Sequence, residues 1–254
     1  MAHWLYLPHL EAAGEAAVLE GAEASHAVRA RRLRIDDPVC VFDGMGRVAQ
    51  GRISDVIQRP LQVHLVINHH QHWPPPAARI HLASALPKGD RQATMLDMAA
   101  QLGMTDFTPL KCDRSVSQAR AQAYERWQRV LIESCKQSHR PWLPALHPPV
   151  KLRDWIDQCG EIDAVNVIAD RQGTADSRVI ESRLLSAGAV CLVVGPEGGF
   201  SDAERAHLSR TRSDMLSLGD GVLRVETAAV ALTALAGRLL AAGLPGPTAN
   251  NRST

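Results

Sequence analysis

Three consecutive prolines at positions 74–76 divide the 254-residue chain into two parts with different hydrophobic patterns. Proline fixes φ and removes an amide donor, so three in a row favour an extended segment rather than a helix or a central strand. Strand-like patterns dominate before this segment, whereas after it apolar runs of strand length alternate with helical periodicity. We therefore predict a small β-barrel over residues 1–75 and an α/β domain with a mainly parallel sheet over residues 76–254.

Strand signals follow one another in the first part of the chain. An apolar run at 39–42, a glycine-containing turn at 43–46 and a partly alternating segment at 47–57 predict a β-hairpin. Apolar side chains recur with a period of two over 61–67, which predicts a half-buried strand. One helix is expected at 23–32, between the strands.

Strands and helices alternate in the second part of the chain, which is the pattern of an α/β domain. Strands are predicted at 79–86, 107–110, 162–169, 189–194 and 214–218. Helices are predicted at 92–102, 118–137 and 225–240. The strand-length apolar runs are typical of a sheet that is buried on both faces. Residues 245–254 are expected to form a frayed tail.

The composition excludes several classes of protein. A hydrophobic fraction of 45% is too high for a disordered chain. No stretch approaches the roughly 18 consecutive apolar residues of a membrane-spanning helix, and residues 1–10 lack the features of a signal peptide. The five cysteines are scattered without a CxxC pair, so we expect reduced thiols. These observations predict a cytoplasmic protein that does not enter a membrane.

Positive charge is concentrated locally, although the formal net charge is only +1. Residues 29–34 contain four arginines, and residues 79–140 contain ten Lys and Arg against six Asp and Glu. Such patches can bind a polyanion without making the whole protein basic, and they are equally compatible with an ordinary solvated surface. His69, His70 and His72 are bunched before the prolines, where we expect a polar loop rather than a metal site.

The segment LVVGPEGGFSDAE is the first candidate binding site, because an apolar strand leads through a glycine-rich turn into a helix. Pro196 ends the strand, and Gly198 and Gly199 can adopt a positive φ that lets a ligand approach the backbone. Ser201 and Glu204 form a capping box at the start of the helix. Ligands of open α/β sheets bind at the carboxyl ends of the strands, although a purely structural turn is an alternative. The spacing matches neither GxGxxG nor a P-loop, so a nucleotide phosphate is not expected.

The segment LSLGDGVLRVETA is the second candidate site, and it too joins a strand to a helix through a glycine-containing loop. Glu226 lies at the predicted start of the helix, where the helix dipole favours a negative charge, so it could serve the helix alone. Arg224 lies at the same end, where the dipole disfavours a cation. Arg224 is therefore the stronger functional candidate.

Together these motifs, GPEGGFSDAE and LGDGVLRVETAAVALTAL, resemble the family of 16S rRNA uridine N3-methyltransferases, within the SPOUT class of knotted methyltransferases. The resemblance continues upstream in ALPKGD, RSV, RW and QSHR. In the first part of the chain it includes His26, Arg32, Leu33 and Asp37. It covers nearly the whole chain, and the two motifs near the C-terminus are specific in combination.

The chain departs from the family pattern at a few positions. Asp36 and His139 stand where the family usually has glycine. Val225 stands where it usually has threonine, and Met98 and Gln101 stand where it commonly has lysine and glutamate.

The resemblance implies a fold and a cofactor. The second domain would contain a deep trefoil knot, an exception to the usual rule against threaded chains, and the first would be a PUA-like barrel that binds RNA. The protein would be a homodimer through its C-terminal domain. S-adenosylmethionine (SAM) would lie in the knot. By matching motif, the implied cofactor-binding residues are Ala169, Gly195, Pro196, Glu197, Gly198, Gly199, Leu218, Gly219, Leu223, Thr227 and Ala228.

The resemblance also implies methyl transfer to N3 of a uridine in 16S rRNA of the small ribosomal subunit. As the N3 proton leaves, negative charge spreads onto the flanking carbonyl oxygens, and we predict that Arg224 stabilises it. Glu226 could accept the proton or orient Arg224. The expected phosphate contacts are Arg31, Arg32, Arg34, Lys88 and Arg91.

Three alternatives stay open at this point. The chain could be an RNA-binding assembly factor that has lost catalysis, or a SPOUT methyltransferase that acts on tRNA or another rRNA position. A metal-dependent hydrolase is a distant third, because the acidic residues and histidines lack the spacing of metal ligands. We therefore predict no metal.

Overall fold

Two units make up the fold in the computed structural model, which describes residues 2–10, 14–119, 121–159, 164–174 and 176–243. The predicted frayed tail lies outside the described residues. The first unit comprises Met1–Pro75 and Ile132–Leu143, and the second comprises Pro76–Leu131 and Pro144–Thr254. One break therefore falls within the proline run, and residues 132–143 join the first unit from far along the chain.

A five-stranded sheet forms the first unit. Its strands are β1 (His3–Tyr6), β2 (Ala16–Glu20), β3 (Pro38–Phe42), β4 (Arg47–Gln58) and β5 (Leu61–His72). Their order is β1-β3-β4-β5-β2, with β1 parallel to β3 and the other neighbours antiparallel. The predicted hairpin and the alternating strand are confirmed. Val63, Leu65 and Ile67 are buried in the core of this unit.

Two predictions for the first unit need correction. His69, His70 and His72 lie within β5 rather than in a loop, because the β4–β5 ladder continues as far as His72. The helix expected at 23–32 is split into a short helix, α1 (Gly21–Ser25), and a π-helical turn (His26–Ala30).

Three of the described residues other than glycine have a positive φ, and all three belong to the first unit. These are Arg32 (57°), Asp36 (71°) and His139 (54°). Asp36 and His139 are the two positions at which the family usually has glycine. Aspartate and histidine are among the residues that tolerate this conformation best, so the chain keeps the backbone geometry without the glycines.

Residues 132–143 are anchored in the first unit by a buried charge. The ammonium group of Lys136 donates hydrogen bonds to Glu23 and Glu133, both at 2.8 Å. Glu23 also accepts from the amide of Tyr6 at 2.9 Å. The Lys136 side chain is only 2% exposed, so these two carboxylates replace the water that would otherwise surround its ammonium group.

A parallel sheet forms the centre of the second unit. Its strands are β6 (Arg79–Ser84), β7 (Asp106–Lys111), β8 (Ala145–Leu146), β9 (Val150–Lys151), β10 (Val165–Thr174), β11 (Ala189–Val194) and β12 (Ser213–Leu216). The order is β12-β10-β11-β6-β7-β8, and β9 pairs with β7. Every described pair is parallel. The predicted α/β architecture is therefore confirmed.

Among the described residues, six helices accompany this sheet along the chain. They are α2 (Arg91–Gln101), α3 (Ala121–Ser138), α4 (Leu152–Cys159), α5 (Arg178–Leu185), α6 (Asp202–Leu208) and α7 (Val225–Gly243). Residues 132–138, at the end of α3, belong to the first unit. Neither α4 nor α5 was predicted, since each has only eight residues and too few turns for a clear helical period.

Helices cover both faces of the sheet. Alternate residues of a strand point to opposite faces, and Cys191 and Val193 of β11 pack with α4 and α6. The other face is covered by α7, which contacts β6 and β11 together with α2 and α5. Because the strands are parallel, the carboxyl ends of β6, β10, β11 and β12 lie at the same end of the sheet, where the two predicted loops begin.

The helix α7 is unusually apolar because it packs in the core of the second unit. By length and composition it could cross a membrane, a property that the apolar runs of the sequence did not indicate. Its packing on the sheet and on α2 and α5 buries Val225, Ala228, Ala229, Leu232, Thr233, Ala236 and Leu240. Its composition is therefore that of a core helix.

The cysteines whose side chains the structure describes form no disulfide with one another. These are Cys40, Cys112, Cys135 and Cys191, all of them buried, and the side chain of Cys159 lies outside the described residues. Burial raises the pKa of Cys40 to about 12, so this thiol stays protonated.

Candidate active site

A cavity of about 320 Å³ lies at the carboxyl ends of the parallel strands. Three loops line it, after β11, after β12 and at the irregularity that follows Ala169 in β10, together with the start of α7. All of the predicted cofactor residues except Thr227 line this cavity: Ala169, Gly195, Pro196, Glu197, Gly198, Gly199, Leu218, Gly219, Leu223 and Ala228. Thr227 is exposed on α7. The volume is in the range of small-molecule sites.

The loop after β11 has the geometry that its sequence predicts. Gly199 has a φ of 67°, and its amide donates to the carbonyl of Pro196 at 2.8 Å, which closes the turn. A Cβ on Gly195 would lie 2.9 Å from the ring of Phe200, so only glycine fits there without displacing the ring. The predicted capping box is confirmed, since Ser201 and Glu204 each accept a hydrogen bond from the other's amide.

The loop after β12 is attached to the neighbouring strand before it reaches α7. The amide of Ser217 donates to the carbonyl of Thr174 at 2.9 Å, and the Ser217 hydroxyl donates to the carbonyl of Gly219 at 3.2 Å. Gly219 has a φ of 142°, a conformation that L side chains rarely adopt. The loop therefore turns at glycine and places Leu218 and Leu223 on the cavity wall.

Three charged side chains meet beside the cavity. Arg91 at the start of α2 donates to Oε1 of Glu226 at 3.2 Å, and its other terminal nitrogen lies 3.9 Å from Oε1 of Glu197. The Glu226 side chain is only 13% exposed. Its second oxygen, Oε2, is buried and has no hydrogen-bond partner among the described residues. Glu226 therefore has one carboxylate oxygen that Arg91 fixes and a second oxygen that can accept a proton or a hydrogen bond.

A second ion pair closes another side of the cavity. Arg205 of α6 donates to Oδ2 of Asp170 at 2.6 Å, and Oδ1 of Asp170 accepts from the amide of Gln172 at 2.8 Å. Asp170, Gln172 and Arg205 all line the cavity. The family motifs indicated this loop through Ala169, whereas nothing in the sequence indicated Arg205, which is 35 positions from Asp170.

The remaining predicted site residues lie outside the cavity lining. Arg224 is exposed and directly precedes α7, and its carbonyl accepts from the amide of Ala228 at 2.9 Å. Lys88 is exposed in the second unit. In the first unit, Arg31, Arg32 and Arg34 are exposed, and Nε of Arg31 donates to Nε2 of His26 at 3.2 Å.

A cluster of two histidines and an aspartate, which no sequence motif indicated, lies toward the amino end of the parallel strands. The potential ligand atoms of His81, Asp106 and His147 lie within 4.8 Å of one another. Asp106 already accepts hydrogen bonds from Arg79 at 2.9 Å and from His147 at 2.9 Å. Burial raises the pKa of Asp106, but hydrogen bonds from His147, Arg79 and Thr105 outweigh burial and hold it below its usual value. The Arg79 guanidinium supplies the positive charge here, which disfavours a metal cation.

His81 in this cluster makes stability depend on pH. Burial is the main cause that lowers the pKa of His81 from 6.5 to about 4. The unfolded chain therefore takes up a proton near pH 6.5 that the folded protein does not bind until about pH 4, so stability is lost as the pH falls through this window. We expect this residue to reduce the free energy of unfolding by about 1 kcal/mol between pH 6 and pH 5.

Urea titrations of the wild type and of His81→Gln at both pH values measure this effect. The variant should lose about 1 kcal/mol less than the wild type over the same interval. An equal loss in the two proteins would show that His81 does not cause the pH dependence.

Comparisons with known proteins identify the family. Residues 74–237 match the family model of an RNA methyltransferase domain, and residues 19–66 match that of an RNA methyltransferase PUA domain. The ribosomal RNA small subunit methyltransferase E of Mycobacterium bovis is 30% identical over 241 residues, which cover 91% of this chain and 89% of the relative.

Solved structures agree with these matches. A methyltransferase from Legionella pneumophila in complex with the bound cofactor SAM superposes with a TM-score of 0.83 at 26% identity, over 94% of this chain and 98% of that one. The ribosomal RNA small subunit methyltransferase E of Neisseria gonorrhoeae, bound to S-adenosyl methionine, gives a TM-score of 0.82 at 25% identity and the same coverage. The resemblance seen in the sequence motifs is confirmed, and the trefoil knot stays a prediction. This chain belongs to the RNA methyltransferase family, with an N-terminal PUA domain, that includes the ribosomal RNA small subunit methyltransferase E proteins.

Proposed function

We propose that this protein transfers the methyl group of SAM to N3 of a uridine in 16S rRNA of the small ribosomal subunit. The observation that carries the proposal is the cavity that the two glycine-containing loops line together, with the Glu226 carboxylate beside it, one oxygen of which has no partner among the described residues. The Mycobacterium bovis relative is named for small-subunit rRNA methylation, and both solved neighbours contain SAM.

The residues of the cavity fit the chemistry of SAM. Gly199 and Gly219 have positive φ, so their loops can present backbone to a ligand without a side chain in the way. Leu218 and Leu223 offer apolar surface to an adenine, and the carboxylate of Glu197 lies on the wall and attracts a cation. When bound, SAM supplies an electrophilic methyl group on a positively charged sulfonium.

Glu226 is suited to accept the N3 proton. Arg91 holds Oε1, which orients the carboxylate, whereas Oε2 is buried and has no partner among the described residues. Binding of the substrate must therefore bring N3 to this oxygen. Arg224, exposed and two residues earlier, supplies a guanidinium for the uridine carbonyl oxygens on which negative charge accumulates. The partner of the Glu226 carboxylate is Arg91, so we assign Glu226 proton acceptance rather than orientation of Arg224.

Binding of the RNA requires cationic surface. The exposed Arg31, Arg32 and Arg34 of the first unit and Lys88 of the second can contact phosphates, and Arg91, although paired with Glu226, remains a third exposed. The target base must be unstacked before its N3 is reachable. We further propose that the protein works in the cytoplasm as a homodimer formed through the second unit.

Labelling of ribosomal subunits tests this function. Methyl-labelled SAM is supplied with small subunits that lack the modification, and the labelled nucleotide is mapped by mass spectrometry. We expect one labelled uridine in 16S rRNA with the methyl group on N3, and no labelling of subunits that already carry it. Binding of SAM and RNA without labelling would indicate a catalytically inactive assembly factor, and label in tRNA or at another atom would indicate a different methyltransferase.

A further inference from the structure

The loop after β7 is fastened to the candidate cofactor loop by an arginine that lies outside the cavity. Nη1 of Arg114 donates to the carbonyl of Gly198 at 3.0 Å and to the carbonyl of Phe200 at 3.3 Å. Gly198 and Phe200 line the cavity, whereas Arg114 does not. Because β6 lies between β7 and β11 in the sheet, Arg114 reaches across a strand position to make these contacts.

Arg114 also packs against the backbone that it holds. A Cβ on Gly198 would lie 3.4 Å from the Cβ of Arg114, so the arginine stem lies directly on the glycine. Backbone carbonyls in a turn need partners from outside the turn, and a guanidinium is a strong, planar donor. Because Gly198 has no side chain, the stem of Arg114 can lie against its backbone while the guanidinium binds its carbonyl.

Neighbouring residues make a second connection between the same two loops. The Ser201 hydroxyl donates to Oδ2 of Asp113 at 2.5 Å, and the amide of Asp113 donates to Oε1 of Glu204 at 2.9 Å. Oε2 of Glu204 accepts from the amide of Ser201 at 2.8 Å. Glu204 is only 2% exposed, and its buried carboxylate accepts one hydrogen bond from each of the two loops.

From these contacts we propose that Arg114 is a positioning residue for cofactor binding, which it supports by holding the Gly198 and Phe200 carbonyls so that the loop after β11 keeps its binding conformation. The inference rests on the proposed function, because it takes SAM as the ligand of the cavity. Without Arg114 the two carbonyls accept hydrogen bonds from water instead. The loop then gains conformational freedom, which it must lose again when the cofactor binds.

Calorimetric titration of SAM into Arg114→Ala tests this role. We expect the Kd for SAM to rise about tenfold, as for the loss of a charge-assisted hydrogen bond. The KM for SAM should rise in parallel while kcat at saturating SAM stays close to the wild-type value, because Arg114 touches neither reacting group. The Kd for the RNA should stay unchanged, and the thermal midpoint should fall by no more than about 4 °C, since Arg114 is exposed and its contacts are confined to one loop.

Two further variants make the test specific. Arg114→Lys keeps the charge but offers a single ammonium group without the planar fork, so we expect an intermediate Kd for SAM. Arg178→Ala removes an exposed arginine of the same unit that pairs with Asp176, and it should bind SAM like the wild type.

Each outcome decides the proposal. Equal SAM affinities of the wild type and Arg114→Ala would overturn it. A higher Kd for RNA together with an unchanged Kd for SAM would also overturn the proposal, because Arg114 would then be a phosphate contact. If the wild type itself failed to bind SAM, the proposed function would fail and this inference with it.

Discussion

Replacing Glu226 by glutamine should reduce turnover by about 10²–10⁴-fold, the usual contribution of a general base. The amide of glutamine can still accept the hydrogen bond from Arg91 through its oxygen, so the local geometry is kept. It cannot take up the N3 proton, which leaves the uridine nitrogen a poor nucleophile. Since Glu226 is absent from the cavity lining, the Kd for SAM should stay within about twofold of the wild-type value, well below a 1.4 kcal/mol effect.

Single-turnover rates at saturating SAM and RNA measure this effect apart from binding. Glu181→Gln is a matched control, because Glu181 lies on α5 in the same unit and does not line the cavity. The control should react at the wild-type rate. A Glu226→Gln enzyme that methylates uridine as fast as the wild type would show that the proton leaves by another route, and Glu226 would then only orient Arg91.

The parts of the structure that depend on neighbours in the chain were predictable from the sequence. The capping box of Ser201 and Glu204 could be found because both partners lie within one helical turn. The alternation at 61–67 fixed the buried face of β5 for the same reason. Comparison with the family pattern marked Asp36 and His139 as former glycine positions, and both have the positive φ that such positions require.

The parts that depend on distant residues were not predictable. Arg91 and Glu226 are 135 positions apart, and nothing in either segment indicates the other. Helical periodicity continues through α3 without a break, so it gave no sign that residues 132–143 pack in the first unit. The contact of Arg114 with Gly198 is likewise set by strand order, because it joins loops that follow different strands.

Replacing Arg224 by alanine should lower turnover by about 10²–10³-fold, comparable to the removal of one donor that stabilises a developing oxyanion. The cause is electrostatic, because negative charge moves from N3 onto the uridine carbonyl oxygens as the proton leaves, and alanine offers no compensating charge. Arg224 does not line the cavity, so the Kd for SAM should be unaffected. Arg224→Lys keeps the charge without the planar fork and should recover part of the rate.

The salt dependence of RNA binding distinguishes this role of Arg224 from a simple phosphate contact. Loss of one phosphate contact weakens RNA binding and reduces the slope of log K against log salt by about 1, whereas loss of a charge that acts only on the reacting base leaves the slope unchanged. We therefore expect Arg224→Ala to keep the wild-type slope while its single-turnover rate falls. Arg210→Ala, which removes another exposed arginine of the second unit, should keep the wild-type rate. A reduced slope with a normal rate at saturating RNA would assign Arg224 to the RNA backbone, and the cation beside the uridine would have to be sought elsewhere.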